Sequence, residues 1–307
     1  MPMLAALAAM SLAAASPFPQ ERDPGGCRLE RLAAVDGENH VLFRGISPDG
    51  RELAVGWDRR NADRTERGAY LLDLVTGNKR DLPGLNNAAA FAPDGKRLVA
   101  ANYPDPAPGE LKTEIVELDL DTGKLRSLAP DPALDWLPSY SPDGRWVVFN
   151  SLRSGASDLY RVDLRSAAVE RLTQDPRYEA HAQFSNDGKR ILFHREVEPD
   201  DYALAVLDVR TRRVTELPGS RREQAYPAWS PDNRWIAYGD DTLQDKGKTD
   251  LYLMRSDGTH ARRLTTHPAK DAYPTFAPDG RSIVFMRAQE EGVRVYRMQI
   301  SNGRCLR

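Results

Sequence analysis

The chain has 307 residues, with 43 lysines and arginines against 45 aspartates and glutamates, a formal net charge of −2. That balance excludes the continuous basic face on which nucleic-acid binding or docking to an anionic membrane surface depends. Two cysteines in the whole length allow at most one internal disulfide.

The chain opens on an uncharged stretch: residues 1–20 carry no charged side chain. Leu4 to Ala15 is a twelve-residue apolar run ending in Ala13-Ala14-Ala15, with Ser16 next. This small-x-small ending reads as a secretory signal peptide over 1–15, with residues to about 20 flexible. The run is too short for a membrane span, which needs about 20 apolar residues. A periplasmic or secreted protein without a membrane span is expected.

From residue 27 to residue 307 the sequence reads as one domain of repeats. A four-residue turn recurs as Ser47-Pro48-Asp49-Gly50, Ala92-Pro93-Asp94-Gly95, Ser141-Pro142-Asp143-Gly144, Ser185-Asn186-Asp187-Gly188, Ser230-Pro231-Asp232-Asn233 and Ala277-Pro278-Asp279-Gly280, at steps of 44 to 49 residues. Pro presets φ, Asp bonds back to the local backbone, and Gly closes the turn without a Cβ clash. Before every turn but the first stands a short run ending in an aromatic, such as Tyr273-Pro274-Thr275-Phe276. After it comes an apolar run such as Ser282-Ile283-Val284-Phe285-Met286. Third strands follow (Asp158-Leu159-Tyr160-Arg161-Val162, Asp250-Leu251-Tyr252-Leu253-Met254), then fourth strands (Val169-Glu170-Arg171-Leu172-Thr173, Ala261-Arg262-Arg263-Leu264-Thr265). Strand-length pieces at this period predict an all-β, six-bladed β-propeller of four-stranded blades.

A closed propeller brings its two ends into one blade. Cys27-Arg28-Leu29-Glu30-Arg31-Leu32 is similar to the fourth strands, and Gly303-Arg304-Cys305 begins like one. The N-terminal segment is therefore expected to complete the blade made by the C-terminal strands, with a Cys27–Cys305 disulfide locking the ring; two separate buried thiols are the alternative. An oxidising compartment favours the bridge.

The pattern Y-P-x-[FWY]-[SA]-P-D-G, D-[LI]-Y and R-x-L-T, best seen in Gln224 to Asp232 and Ala261 to Pro268, resembles the WD40-like repeat of TolB-type propellers. The resemblance covers roughly residues 28 to 307 and implies the fold. It implies protein or peptide binding as an expectation only, because such blades also occur in lyases and peptidase accessory domains. TolB carries an α/β domain ahead of its propeller, and no such domain is expected within these 307 residues.

No catalytic constellation emerges. There is no G-x-S-x-G, H-E-x-x-H, glycine-rich phosphate loop or C-x-x-C. The five histidines, His40, His181, His194, His260 and His267, stand dispersed, none at metal-ligand spacing with a second. No catalytic residue, metal ligand or cofactor is assigned. Aligned on the aromatic before the turn, five repeats place Asn86, Asp135, Glu179, Gln224 and Asp271 five positions upstream, all acids or amides, while the first repeat has Val41 there. Three positions upstream stand Ala88, Leu137, His181, Tyr226 and Tyr273. Innermost strands line the channel, so Asn86, Asp135, Glu179, His181, Gln224, Tyr226, Asp271 and Tyr273 form the candidate binding site at one mouth. The alternative role for the polar ones is strand-end capping. The loops Asn102 to Lys112, Glu196 to Asp201 and Asp240 to Lys248 differ most between blades and would carry specificity.

The residues therefore read as an exported, monomeric, non-catalytic propeller that binds a periplasmic or envelope protein or peptide at the channel mouth. A saccharide or small-molecule binder or lyase using His181 and the nearby acids is the alternative, and a structural accessory subunit the third reading.

Overall fold

The computed structural model describes residues 18–305 apart from 36–39, 61–64, 88, 104–111, 200, 219–223, 242–247, 291 and 302–303. The apolar segment 1–15 and most of the loops 102–112 and 240–248 lie outside the described residues.

Alternating apolar strands joined by tight turns fold as six antiparallel sheets, with no helix among the described residues. Five are four-stranded meanders in chain order. Blade 1 runs from His40–Ile46 to Lys79–Asp81, blade 2 from Ala89–Phe91 to Leu125–Ser127, and blade 3 from Asp135–Tyr140 to Val169–Arg171. Blade 4 runs from Glu179–Phe184 to Val214–Glu216, and blade 5 from Ala225–Trp229 to Arg262–Arg263. Blade 6 is made from both ends of the chain. Lys270–Phe276, Ser282–Gln289 and Gly292–Ser301 supply its inner strands, Arg28–Val35 pairs antiparallel with Gly292–Ser301, and Gln20–Arg22 adds a further strand outside it. Cys27 and Cys305 form the expected disulfide, with Cα atoms 5.3 Å apart across a separation of 278 residues.

The core sits between blades. Leu53, Val55, Tyr70 and Leu72 of blade 1 pack with Ala272, Val284, Met286 and Val295 of blade 6, sealing the ring where the chain ends meet. Third-strand tyrosines stack inside their own blades, Tyr160 on Phe149, Tyr252 on Tyr238 and Tyr296 on Phe285, with ring centroids 5.7 to 6.0 Å apart.

The turn aspartates are structural, as their presence in every repeat suggests. Ser47 Oγ donates to Asp49 at 2.5 Å, and Ser141, Ser185 and Ser230 repeat the bond at 2.5 to 2.7 Å. Each turn also touches its neighbour: a Cβ on Gly144 would lie 3.8 Å from Pro93, and one on Gly50 would lie 3.7 Å from Pro278, closing the circle. The two departures from the motif meet in this circle. Asn233 holds the left-handed conformation of the missing glycine, φ 58°, which Asn tolerates better than most residues. Its Oδ1 accepts from Asn186 N at 2.6 Å, and Asn186 Nδ2 donates to Pro231 O at 2.9 Å. Restoring the motif one residue at a time breaks this pair. Asn233→Gly and Asn186→Pro are therefore expected to be non-additive in urea unfolding, coupled by about 0.5–1 kcal/mol.

Candidate functional site

The innermost strands of blades 3 to 6 each carry a bulge near their start. Register shifts fall between Trp136 and Ser139, Ala180 and Gln183, Ala225 and Ala228, and Ala272 and Thr275. The bulge puts Leu137, His181, Tyr226 and Tyr273 into left-handed backbone, with φ of 56°, 60°, 55° and 53°. Bulky side chains occupy this region rarely and at a cost of order 1–3 kcal/mol each. The same strain in four successive blades turns one large side chain per blade toward the channel axis.

These side chains divide the channel. A chamber of about 480 Å³ at the end where the first strands begin is lined by Leu42, Tyr103, Trp136, Leu137, Tyr178, His181, Tyr226 and Tyr273, among others. None of its lining residues among those described is an acid, lysine or arginine. At the opposite end, inside the circle of turns, lies a second chamber of about 390 Å³, lined by Pro48, Phe91, Tyr140, Phe184, Trp229 and Phe276 with their neighbours. Between them the channel narrows to about 30 Å³ against Phe43, His181, Tyr226 and Tyr273. The Tyr226 and Tyr273 centroids are 4.0 Å apart and the His181 and Tyr226 centroids 4.8 Å, so these rings crowd the throat.

The acid and amide positions do something else. Asp135, Glu179, Gln224 and Asp271 are buried, and each residue of this series is tied to the second strand of its own blade or the residues just beyond it. Arg153 donates to Asp135 at 2.6 Å, Arg195 bridges Glu179, and Arg287 grips Asp271 through Nε at 2.7 Å and Nη2 at 2.8 Å. Gln224 Nε2 donates to Asp240 at 3.1 Å, and Asn86 Nδ2 donates to the Tyr103 carbonyl at 2.7 Å. Burial pushes the Asp135, Glu179 and Asp271 carboxyls above the ordinary carboxylate range, against the pull of their arginines.

The tie also crosses between blades. In blade 3, Arg171 donates to Asp158 at 2.6 Å, Thr173 Oγ1 accepts from Leu159 N at 3.0 Å, and the same hydroxyl donates to Glu179 of blade 4. Blade 5 repeats the knot with Asp250, Arg263, Leu251 and Thr265. The D-[LI]-Y and R-x-L-T signatures are thus inter-blade clamps. His181 and Glu179, two residues apart on the same strand, part company: the Glu179 carboxylate turns to Arg195 and Thr173, and the bulge aims the His181 ring at the tyrosines.

Alongside this clamp, Asp175 accepts from Arg177 at Nε and Nη2, both at 2.8 Å, and Arg195 lies 3.5 Å away. The Arg177 hydrogen bonds hold its pKa down at about 2, below the ordinary 3.8. A depressed folded value means stability present above pH 4 and lost as pH falls toward 2. Asp175→Asn is expected to flatten the acid-unfolding profile in that window, read by circular dichroism.

Trp136, Tyr178 and Tyr103 were not singled out by the sequence alignment, since they come from strand ends and loops rather than from a repeated position. Trp136 and Tyr178 stack with centroids 6.4 Å apart along the chamber wall, and Arg67 lies 4.3 Å over Tyr103. The histidines are less dispersed than their spacing suggests: Ala180 pairs in register with His194, which brings the His181 and His194 rings to 4.9 Å. Among the described residues no three His, Cys, Asp or Glu side chains converge.

A family model described as the TolB beta propeller domain matches residues 30–242 and 197–307. The chain belongs to the TolB β-propeller family. The crystal structure of TolB from Acinetobacter baumannii superposes with a TM-score of 0.66 at 25% identity, covering 84% of this chain and 65% of that one. An uncharacterized protein of Agrobacterium fabrum is 29% identical over 73% of this chain and 75% of its own length. A TolB homologue of Chlorobium chlorochromatii is 32% identical over 48% of this chain, which spans 32% of that relative. An oligogalacturonate lyase from Vibrio parahaemolyticus, at TM-score 0.65 and 15% identity over 93% of this chain and 97% of its own, shares the fold.

Proposed function

We propose that this TolB-type propeller is an exported binding protein that takes a protein or peptide partner in the chamber where its first strands begin. The observation that carries the reading is the aromatic wall of that chamber, without an acid, lysine or arginine among its described residues and including strained left-handed residues from successive blades. Rigid aromatic anchors around a concave apolar site are the usual makings of a binding hot spot. The narrow throat favours an occupant that inserts a few side chains from one side. The disulfide suits an oxidising, extracytoplasmic compartment.

The lyase reading needs acids free to work beside His181. Asp135, Glu179 and Asp271 are instead buried and paired with arginines, which favours the binding role.

Affinity capture from an envelope extract tests the proposal. A protein retained by the wild type should be lost in Trp136→Ala/Tyr178→Ala while the melting temperature holds. Equal retention by the variant, or a thermal shift with a saccharide and none with protein, would overturn it.

A further inference from the structure

We infer that His181 and His194 form an open binding site for a borderline divalent transition metal at the boundary between the chamber and the throat. The two imidazoles come from adjacent antiparallel strands of blade 4, Glu179–Phe184 and Arg190–Glu198, with His194 opposite Ala180 in register. Their ring centroids stand 4.9 Å apart at 62°. A tetrahedral ion with metal–nitrogen bonds of about 2.0–2.1 Å holds two imidazole centroids roughly 5 Å apart. The pair therefore already has the separation that bidentate capture needs.

The surroundings select the kind of ion. His181 lines both the chamber and the throat, which gives an entry path, while His194 is 6% exposed and fixed in the blade. Phenol rings surround the pair: Tyr226 lies 4.8 Å from His181, and Tyr202 and Tyr178 lie 5.2 and 6.0 Å from His194. The carboxylate nearest in sequence, Glu179, is held by Arg195 and Thr173. Imidazole nitrogen donors, with no carboxylate converging on them among the described residues, suit Zn²⁺, Ni²⁺ or Cu²⁺ and suit Ca²⁺ or Mg²⁺ poorly. Two protein nitrogens leave further coordination positions facing the chamber, for water or for a donor atom of whatever occupies it. The site goes beyond the partner-binding reading and does not depend on it.

Calorimetric titration of Zn²⁺ into the intact, chelator-treated chain tests the site. One saturable equivalent is expected, with affinity at least tenfold weaker in His181→Phe and in His194→Phe and unchanged in His260→Ala. Phenylalanine keeps the ring packing, and Tyr226 and Tyr273 show that an aromatic is accommodated at the left-handed position. Should either variant fail to fold, the electron paramagnetic resonance spectrum of wild type with one equivalent of Cu²⁺ decides, with coupling to two imidazole nitrogens expected. Absence of saturable binding, wild-type affinity in both phenylalanine variants, or coupling to a single nitrogen would overturn the assignment.

Discussion

Replacing Cys27 and Cys305 together by alanine is expected to lower the melting temperature by about 10 °C, from a stability loss of about 4 kcal/mol. The bridge ties positions 278 residues apart, so the cross-link removes more freedom from the unfolded chain than a short loop would. Its place in the fold adds to the effect, because Cys27 leads directly into Arg28–Val35, the strand that completes blade 6. Without the bridge the closing strand is held by its backbone pairing and by side chains such as Leu29, buried against Tyr296 and Met298. Differential scanning calorimetry with and without reductant should give the same deficit for the reduced wild type as for the double variant. An unchanged melting temperature would mean that the ring is sealed by the inter-blade core alone.

Arg287→Met is the second large effect, with an expected loss of about 3 to 5 kcal/mol in urea unfolding. Arg287 is 2% exposed and lies between two buried carboxylates, Asp271 of its own blade and Asp23 of the N-terminal segment, 2.9 Å from Nη2. Asp23 also accepts from Thr266 N at 3.0 Å, so one guanidinium joins the start of the chain to blades 5 and 6. Removing it leaves two like charges without a cation in a dry site. Burial already raises the Asp271 pKa above its unfolded value, so the folded state takes up a proton that the unfolded state releases. Stability is then lost as pH rises through the folded value, and the deficit of Arg287→Met should shrink as pH falls from 7 toward the ordinary carboxylate range. A deficit that grows on acidification would contradict this assignment of charge.

Turn chemistry and period made the architecture legible, because Pro, Asp and Gly at fixed offsets constrain the backbone locally. The same locality explains what stayed hidden. The acid and amide series, Asn86, Asp135, Glu179, Gln224 and Asp271, reads in sequence as a channel-mouth ring, yet its side chains turn into the blades. The signal was present: Asn102, Arg195, Asp240 and Arg287 stand 16 residues after Asn86, Glu179, Gln224 and Asp271, and Ser151 stands 16 after Asp135. Complementary partners at a constant offset mark a pair across a hairpin. His181, Tyr226 and Tyr273 line the channel, but nothing in Tyr or His announces left-handed backbone. That strain comes from bulges imposed by the blade as a whole, so the throat became visible only in the assembled ring.

The most direct test of chamber binding is site-specific photo-crosslinking in the cells that make the protein. A benzophenone side chain at Tyr178, on the chamber rim, is compared with one at Val169, equally exposed on an outermost strand at 37% and 39%. A discrete protein adduct from position 178 and none from 169 is the predicted result. Adducts from 169 alone would move the binding surface to the outside of the propeller and contradict the account.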